Sequence, residues 1–330
     1  MIIIAEAGVN HGGSLDVARR LVDEAAGSGA DYVKFQTFNA DRLVTSRSAT
    51  ADYQKRNCGA SSQLEMLRRL ELSRKDFTAL SRHCESAGIR FLSTPFDVES
   101  VAFLRDLGVD MMKVPSGEIT DLPLLRAVGA TGLPVVMSTG MSTLAETENA
   151  LMALVEAGAP ADAITLLHCT TEYPTPYPEV NLRAMKTLSD AFGLPVGYSD
   201  HTVGIEVSVA AAALGATVIE KHFTLDKAAA GPDHAASLDP AELRELVRAV
   251  RNVEAALGSP RKLAGPSERK NLTVARKCIV ASRPIRKGER FSDDNLTAKR
   301  AAGGMSPMMW DFVCSCAAPR DFETDEPISL

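Results

Sequence analysis

The sequence predicts an α/β fold, a (β/α)8 TIM barrel followed by a small β-rich domain, and three observations support this prediction. Over the first 260 residues, short β-rich runs alternate with longer amphipathic stretches, which is typical of parallel strand–helix units. The β-rich runs number eight, the number of strands that closes such a barrel. Around residues 258–266 the helical pattern gives way to glycine, serine and proline, which indicates a linker. We therefore predict a barrel over residues 1–260, a linker over 261–275 and a second domain over 276–330.

The predicted strands are short, and most are separated by stretches with helical periodicity. We place the strands at residues 2–7, 32–37, 89–94, 111–116, 135–138, 164–168, 196–199 and 218–222. We place the main helices at 15–26, 73–87, 98–107, 143–156, 204–214 and 240–257, several of which end at glycine. An open doubly wound sheet is the alternative, but no G-x-G-x-x-G or G-x-x-x-x-G-K-[ST] motif follows any of these strands.

Two regions depart from the regular alternation. Residues 277–282 and 296–300, with a turn at 286–289, predict the β-rich module, and a module of about 60 residues buries little core alone. We therefore expect it to pack against another surface. The connection over residues 39–73 is far longer than a usual βα loop of about 2–6 residues, which suggests a lid or a dimer contact.

Composition excludes several classes of protein. The net charge of −6 argues against nucleic acid as the main partner. No stretch approaches about 18 uninterrupted apolar residues, and the apolar start meets Glu6 too soon for a signal peptide, so we expect a soluble, cytoplasmic protein without a membrane partner. The six cysteines form no C-x-x-C pair, which predicts reduced thiols rather than a zinc knuckle or a disulfide framework.

Polar residues lie at the end of almost every predicted strand. In a barrel of this kind the active site is built at the carboxyl ends of the strands, so these side chains are expected to converge. Because a strand alternates its faces, Lys34 and Gln36 share one side, as do Glu220 and His222. The candidates are Glu6, Lys34, Gln36, Ser93, Thr94, Lys113, Ser116, Glu118, Ser138, Thr139, His168, Ser199, Asp200, His201, Glu220, Lys221 and His222.

His201 and His222 end neighbouring strands, which favours a divalent metal site. Two imidazoles with the remaining positions open to water and substrate oxygens suit Mn²⁺, Mg²⁺, Co²⁺ or Zn²⁺, and such a metal polarises a carbonyl as a Lewis acid. His11, in the first βα loop, and His168 are competing ligand candidates.

The lysines and serines predict a socket for phosphate or carboxylate. Lys34 and Lys113 supply charge, and serine hydroxyls supply hydrogen bonds. The alternative is that each lysine pairs with a barrel carboxylate such as Glu118 or Glu220. Glu6 and Glu118 are the candidates for acid–base work, because a carboxylate enclosed near a metal can be tuned for proton transfer.

These motifs, taken in order, resemble the sialic acid synthase family over essentially the whole chain. The resemblance rests on residues 5–11 (AEAGVNH), 33–37 (VKFQT), 93–96 (STPF), 113–118 (KVPSGE), 138–141 (STGM), 167–170 (LHCT), 173–176 (YPTP), 199–202 (SDHT), 220–224 (EKHFT) and 231–233 (GPD). It implies a barrel followed by an antifreeze-like (SAF, β-clip) domain, in a domain-swapped homodimer. Residues 301–304 and Cys314 depart from the family pattern of that domain, so we expect its loops to differ from the family's there.

The resemblance also implies a reaction, the condensation of phosphoenolpyruvate with an N-acetylmannosamine-type sugar, with C–O cleavage that releases phosphate. The resemblance further implies that His201 and His222 hold a divalent metal, commonly Mn²⁺. Glu6 positions or deprotonates water, with Glu118 as second carboxylate. Phosphoenolpyruvate is bound by Lys34, Lys113, Ser116, Ser138 and Ser199. The sugar is bound by Gln36, Tyr173, Asp233 and Arg300.

The acceptor sugar is the open part of this prediction. N-acetylmannosamine gives N-acetylneuraminate, and 2,4-diacetamido-2,4,6-trideoxymannose gives N,N'-diacetyllegionaminate. Residues 51–57, 62–67 and 231–234, together with Thr171, resemble the legionaminate branch more closely. A related synthase that acts on an aldose phosphate, and a non-catalytic carbohydrate-binding protein, are the alternative functions.

Overall fold

The computed structural model describes residues 1–45 and 62–330, and these form two compact units, Met1–Gly258 and Ser259–Leu330. The segment 51–57, which entered the prediction of the sugar, and Cys58 lie outside the described residues. Among the residues that are described, no helix is both long enough and apolar enough to cross a membrane.

The first unit is built on eight parallel strands that confirm the barrel prediction. They are β1 (Ile2–Gly8), β2 (Tyr32–Thr37), β3 (Arg90–Pro95), β4 (Met112–Val114), β5 (Val135–Ser138), β6 (Ile164–His168), β7 (Val196–Asp200) and β8 (Val218–His222). Their order in the sheet is β3-β2-β1-β8-β7-β6-β5-β4, and β3 also lies beside β4, so the sheet curls into a near-barrel. The strand predicted at 111–116 is shorter in the structure, because Pro115 lacks the backbone donor that would extend it.

Helices connect the strands and cover the barrel. They are α1 (Leu15–Ser28), α2 (Ala40–Leu43), α3 (Gln63–Leu70), α4 (Arg74–Ala87), α5 (Val98–Leu107), α6 (Leu122–Gly129), α7 (Leu144–Ala157), α8 (Ala184–Phe192), α9 (Glu206–Ala213) and α10 (Pro240–Leu257). Local chemistry sets their ends: the Ser73 side chain caps α4, and Gly88 closes it in the left-handed conformation.

The barrel interior is layered, because side chains two residues apart on a strand share a face. A plug of apolar side chains fills the level nearest the amino ends of the strands: Ile4, Tyr32, Leu92, Met111, Val136, Leu167 and Val218. Two residues further along each strand the chemistry becomes largely polar: Glu6, Lys34, Thr94, Lys113, Ser138, Cys169 and Glu220. The plug therefore forms the base on which a polar layer stands.

The second unit contains an antiparallel pair, β9 (Lys277–Ala281) and β10 (Leu296–Arg300), and short helices α11 (Pro266–Arg269), α12 (Leu272–Ala275) and α13 (Trp310–Cys314). It has a hydrophobic core of its own, which includes Phe291 and Phe322. In the loop after β10, Gly304 has a φ of 99° and a Cβ there would lie 2.9 Å from Pro327, so glycine is required at this position.

Candidate active site

A cavity of about 300 Å³ opens at the carboxyl ends of the barrel strands. Its floor is the polar layer above the apolar plug, so strand geometry alone brings together side chains from distant parts of the chain. Every residue to which the family resemblance assigns a role lines this cavity, with the exception of Arg300. Of the other strand-end candidates, Thr94 and Glu220 also line it, whereas Ser93, Thr139, His168, Asp200 and Lys221 do not. Arg300 is exposed at the end of β10 and is described with the second unit.

The centre of the floor is a buried cluster of one lysine and two carboxylates. Lys34 Nζ lies 2.9 Å from Glu6 and 3.5 Å from Glu220, and it donates to Thr94 Oγ1 at 3.0 Å. Burial raises the pKa of Glu6 to about 7 against the opposing charge of Lys34. Burial also works against the charged form of Glu220, but Lys113 and Lys34 outweigh it and lower its pKa to about 2.

These pKa values give the two carboxylates different tasks. Glu220 stays ionised and balances the lysines, whereas Glu6 can take up or release a proton near neutral pH. The sequence prediction placed Glu220 among the strand-end candidates, on the same face as His222, and named it as a possible lysine partner, but gave it no role in the reaction. Its central place follows from its register opposite Ser199 on β7, whose hydroxyl donates to it at 2.9 Å.

A second lysine lies on the floor without a carboxylate as its hydrogen-bond partner. Lys113 Nζ donates to Ser138 Oγ at 2.6 Å and to the Val114 carbonyl at 3.2 Å, and burial lowers its pKa. The alternative of carboxylate pairing therefore fits Lys34 and not Lys113. A buried ammonium group that is held only by neutral acceptors binds an incoming anion strongly, because the anion supplies the missing counter-charge.

A second serine hydroxyl that lines the cavity, that of Ser116, lies against the end of β5. Ser116 Oγ accepts from the Gly140 backbone N–H at 3.0 Å and lies 3.2 Å from Cys169 Sγ. A Cβ on Gly140 would come within 2.7 Å of Ser116 Oγ and 2.5 Å of Thr171 Oγ1, so only glycine lets the end of β5 approach this closely.

The two histidines converge at one side of the cavity. Their ring centroids are 5.6 Å apart, and Tyr173 packs against both at 4.1 Å from His201 and 5.6 Å from His222. Burial lowers the pKa of His201 to about 4 and that of His222 well below its usual value, so both rings are neutral at pH 7. His201 Nδ1 lies 2.6 Å from the Thr170 carbonyl, which can only accept, so Nδ1 carries the proton and Nε2, 3.4 Å from the Ser199 hydroxyl, carries the lone pair.

A buried ion pair behind the histidines holds their strands together. Asp200 and Lys221, each adjacent in sequence to one histidine, are opposite each other in register and lie 3.0 Å apart with no solvent exposure. Because neighbouring residues on a strand face opposite ways, this pair points away from the cavity. Asp200 also accepts from the backbone and hydroxyl of Thr202 at 2.9 and 2.8 Å, which fixes the turn around His201.

Two further carboxyl groups lie at the rim. Burial raises the pKa of Asp233 to about 6, and its Oδ2 lies 3.9 Å from His222 Nδ1, a ring nitrogen without a hydrogen-bond partner among the described residues. Burial and the neighbouring Asp121 raise the pKa of Glu118. Both groups are therefore easier to protonate than exposed carboxylates.

One wall of the cavity is apolar, and sequence reasoning missed it. It is formed by Val9, Phe38, Leu43, Val44, Met66, Leu67, Leu70 and Phe96. Helix α2 supplies Leu43, and helix α3 supplies Met66, Leu67 and Leu70. Val44 directly follows α2 in the chain, so the long connection provides five of these side chains. The available signal was the helical spacing of Met66, Leu67 and Leu70, which places them on one face of a helix.

His11 and His168, the competing ligand candidates, are outside this cavity. His168 Nε2 lies 2.7 Å from the Val180 carbonyl. His11 Nδ1 accepts from the Gly13 N–H at 3.0 Å, and burial lowers its pKa to about 4.

We expect His11 to make the fold sensitive to acid. Its folded pKa lies below the unfolded value of about 6.5, so the unfolded chain binds more protons between these values and stability falls as pH drops through this window. Between pH 7 and pH 5 this residue should account for a loss of about 2 kcal/mol. Urea unfolding of the parent and of His11→Asn, whose Oδ1 can replace the Nδ1 acceptor, measures it at both pH values. Equal pH-dependent losses in the two proteins would contradict this assignment.

Comparison with known proteins gives consistent matches. Residues 21–262 match the model of the NeuB family and residues 276–330 match that of the SAF domain. An N,N'-diacetyllegionaminic acid synthase of Campylobacter jejuni is 51% identical over 99% of this chain and 98% of its own length. The human N-acetylneuraminate-9-phosphate synthase is 40% identical over 90% of this chain and 82% of its length. A solved N-acetylneuraminic acid synthetase of Leptospira borgpetersenii, in complex with citrate, matches with a TM-score of 0.73 at 35% identity, covering 82% of this chain and 90% of that one.

Proposed function

The chain belongs to the NeuB family, and from this premise we propose that it condenses phosphoenolpyruvate with an acetamido sugar to make a nonulosonic acid. The family predicted from the strand-end motifs is thereby confirmed, and the named relatives support an enzyme of the synthase kind. The observation that carries the proposal is the floor of the cavity, where two buried lysines and several hydroxyls lie beside a proton-exchanging carboxylate.

The proposed reaction uses the floor as an anion socket. Lys34, Lys113 and the hydroxyls of Ser116, Ser138 and Ser199 bind the phosphate and carboxylate of phosphoenolpyruvate. Carbon 3 of this substrate attacks the aldehyde of the open-chain sugar, water adds at carbon 2, and phosphate leaves with cleavage of its C–O bond. Donors already in place stabilise the charge that develops.

The carboxylates and the rim supply proton transfer and orientation. Glu6, with its pKa of about 7, positions the water and accepts its proton, and Glu118 is the second acid–base group. Gln36, Tyr173 and Asp233 line the part of the cavity where the sugar would lie. Gln36 Nε2 donates to Glu6 at 3.4 Å, which links the sugar-binding side to the water-activating group.

The histidines fit a divalent metal, Mn²⁺ in our proposal with Mg²⁺ or Co²⁺ as alternatives. Both rings are neutral, and His201 is oriented by a hydrogen bond from its other nitrogen to a backbone carbonyl, as metal-binding histidines usually are. No group of three or more His, Cys, Asp or Glu side chains arranged to hold a metal is found within residues 1–45 and 62–330, so the proposed site needs ligands from water or substrate. When bound, the metal would polarise the sugar aldehyde as a Lewis acid.

For the acceptor we propose 2,4-diacetamido-2,4,6-trideoxymannose, which gives N,N'-diacetyllegionaminate, with N-acetylmannosamine as the alternative. The 51% identity to a legionaminic acid synthase over nearly the full chain supports this choice. Assembly as a homodimer and contact of Arg300 with the sugar stay predictions.

The test is phosphate release by the purified, metal-depleted full chain. Phosphoenolpyruvate and Mn²⁺ are supplied with each of the two acetamido sugars, and reactions without metal or without sugar serve as controls. We expect release that requires Mn²⁺ and a sugar, with the diacetamido sugar preferred. No release with either sugar would overturn the proposal, and activity with an aldose phosphate would replace it with the related synthase.

A further inference from the structure

On one side of the barrel, the side chains that line the cavity change from charged to apolar between the floor and the opening. On β2 and just beyond it, Lys34, Gln36 and Phe38 all line the cavity, so the wall passes from charged to polar to aromatic over five residues. On β3 and just beyond it, Thr94 is followed by Phe96 in the same way. The outer level on this side is therefore apolar.

The outer level on the other side is polar. There the cavity is lined by Glu118, Thr171, Tyr173 and Asp233 together with the two histidines. Thr171 Oγ1 is buried and has no hydrogen-bond partner among the described residues. A molecule that occupies the outer level therefore meets polar groups along one edge and hydrocarbon along the other.

Helix α3 turns only uncharged side chains to the cavity. Its first residue, Gln63, contributes an amide, and the rest of this face is apolar: Met66 and Leu70 are buried, Leu67 is partly buried, and all three line the cavity. The two arginines between them point to solvent, where Arg68 lies 2.5 Å from Asp41 on α2 and Arg69 pairs with Glu65. This orientation leaves the apolar wall without a charged hydrogen-bonding group from α3.

The two candidate acceptors differ in what they would present to such a wall. The trideoxy sugar carries a methyl group at carbon 6 and a second acetamido methyl at carbon 4. N-acetylmannosamine carries hydroxyl groups at both carbons. A methyl group can pack on Met66 and Leu67 without the burial of any polar group, whereas a hydroxyl group there loses its hydrogen bonds to water. This loss of free energy corresponds to a decrease of about 10–100-fold in kcat/KM.

We propose that the wall formed by Phe38, Phe96, Met66, Leu67 and Leu70 is the specificity element for the acceptor, and that it selects a 6-deoxy sugar with acetamido groups at carbons 2 and 4. This inference rests on the proposed function and adds to it the residues that distinguish the two sugars. Phosphoenolpyruvate binds on the charged floor and does not reach the discriminating contacts.

The experiment compares kcat/KM for the two sugars in the full chain, at saturating phosphoenolpyruvate and Mn²⁺. The variants are Met66→Gln and Leu67→Asn, which introduce a hydrogen-bonding amide into the wall. The matched control is Met152→Gln, because Met152 is 54% exposed on α7 and lies outside the cavity. We expect the parent to prefer the trideoxy sugar, the two wall variants to lower that preference about tenfold each, and the control to keep it.

The outcomes separate this inference from the proposed function. Turnover by the parent with an equal drop for both sugars in the wall variants, and so an unchanged ratio, would overturn the inference alone. No turnover by the parent with either sugar would overturn the proposed function as well. Thermal unfolding checks that each variant is folded, and Met66→Leu, which keeps the volume and the apolar character, should retain the parent's preference.

Discussion

Replacing His222 by alanine should lower kcat about a thousandfold and weaken Mn²⁺ binding. The ring is buried and neutral, and its Nδ1 has no hydrogen-bond partner among the described residues, so the ring can offer a nitrogen lone pair to a cation. The loss corresponds to several kcal/mol of transition-state stabilisation by a bound metal. Phosphate release measures kcat, and titration of the metal-depleted protein with Mn²⁺ measures affinity without turnover.

The control for this variant is His83→Ala. His83 lies on α4 and forms a surface pair with Asp23 at 2.7 Å, so its removal should change neither quantity. Parental kcat and Mn²⁺ affinity in His222→Ala would contradict a role for this histidine as a ligand.

Replacing Lys34 by methionine should both destabilise the fold and abolish activity. The change leaves Glu6 and Glu220 buried without the charge that lies 2.9 and 3.5 Å from them. Removal of one partner from a buried ionic cluster costs about 3–5 kcal/mol. It also removes half of the positive charge proposed to bind phosphoenolpyruvate. Urea unfolding measures the free energy of unfolding, and calorimetric titration measures phosphoenolpyruvate affinity.

A double variant and a surface control separate the two effects of Lys34→Met. Adding Glu6→Gln removes one of the two stranded carboxylates, so stability should partly recover while activity stays absent. Lys227→Met breaks a half-exposed pair with Glu242 at 2.8 Å and should cost less than about 1 kcal/mol. A stability loss for Lys34→Met as small as that of Lys227→Met would argue against the cluster.

The period-two pattern of the strands is the reason that most of the barrel and its floor could be predicted. The strands at 32–37, 135–138, 164–168 and 218–222 have the predicted bounds. Helix α8 was missed because its first residues offer no side-chain cap, and α6 because it is short and contains both Pro123 and Gly129.

The apolar wall and the role of Glu220 could not be predicted in the same way. A strand pattern says which face a residue occupies but not how the long connection after β2 folds back over the barrel, and Met66 and Leu67 reach the cavity only through that packing. Glu220 is one of several charged strand-end residues in the sequence. Only the distances of the folded chain distinguish its pairing with Lys34 from the pairing of Asp200 with Lys221.

In the proposed function, the layering of the barrel assigns the reaction to the floor and the choice of acceptor to the apolar wall. The floor belongs to strands whose hydrogen bonds and apolar plug hold the whole sheet, so changes there endanger the fold. The face of α3 that lines the cavity belongs to a connection outside the sheet, and its side chains are part of a small hydrophobic cluster separate from the main core. Directed evolution toward new acceptor sugars should therefore begin on this helix, where substitutions can accumulate while the residues of the floor stay unchanged.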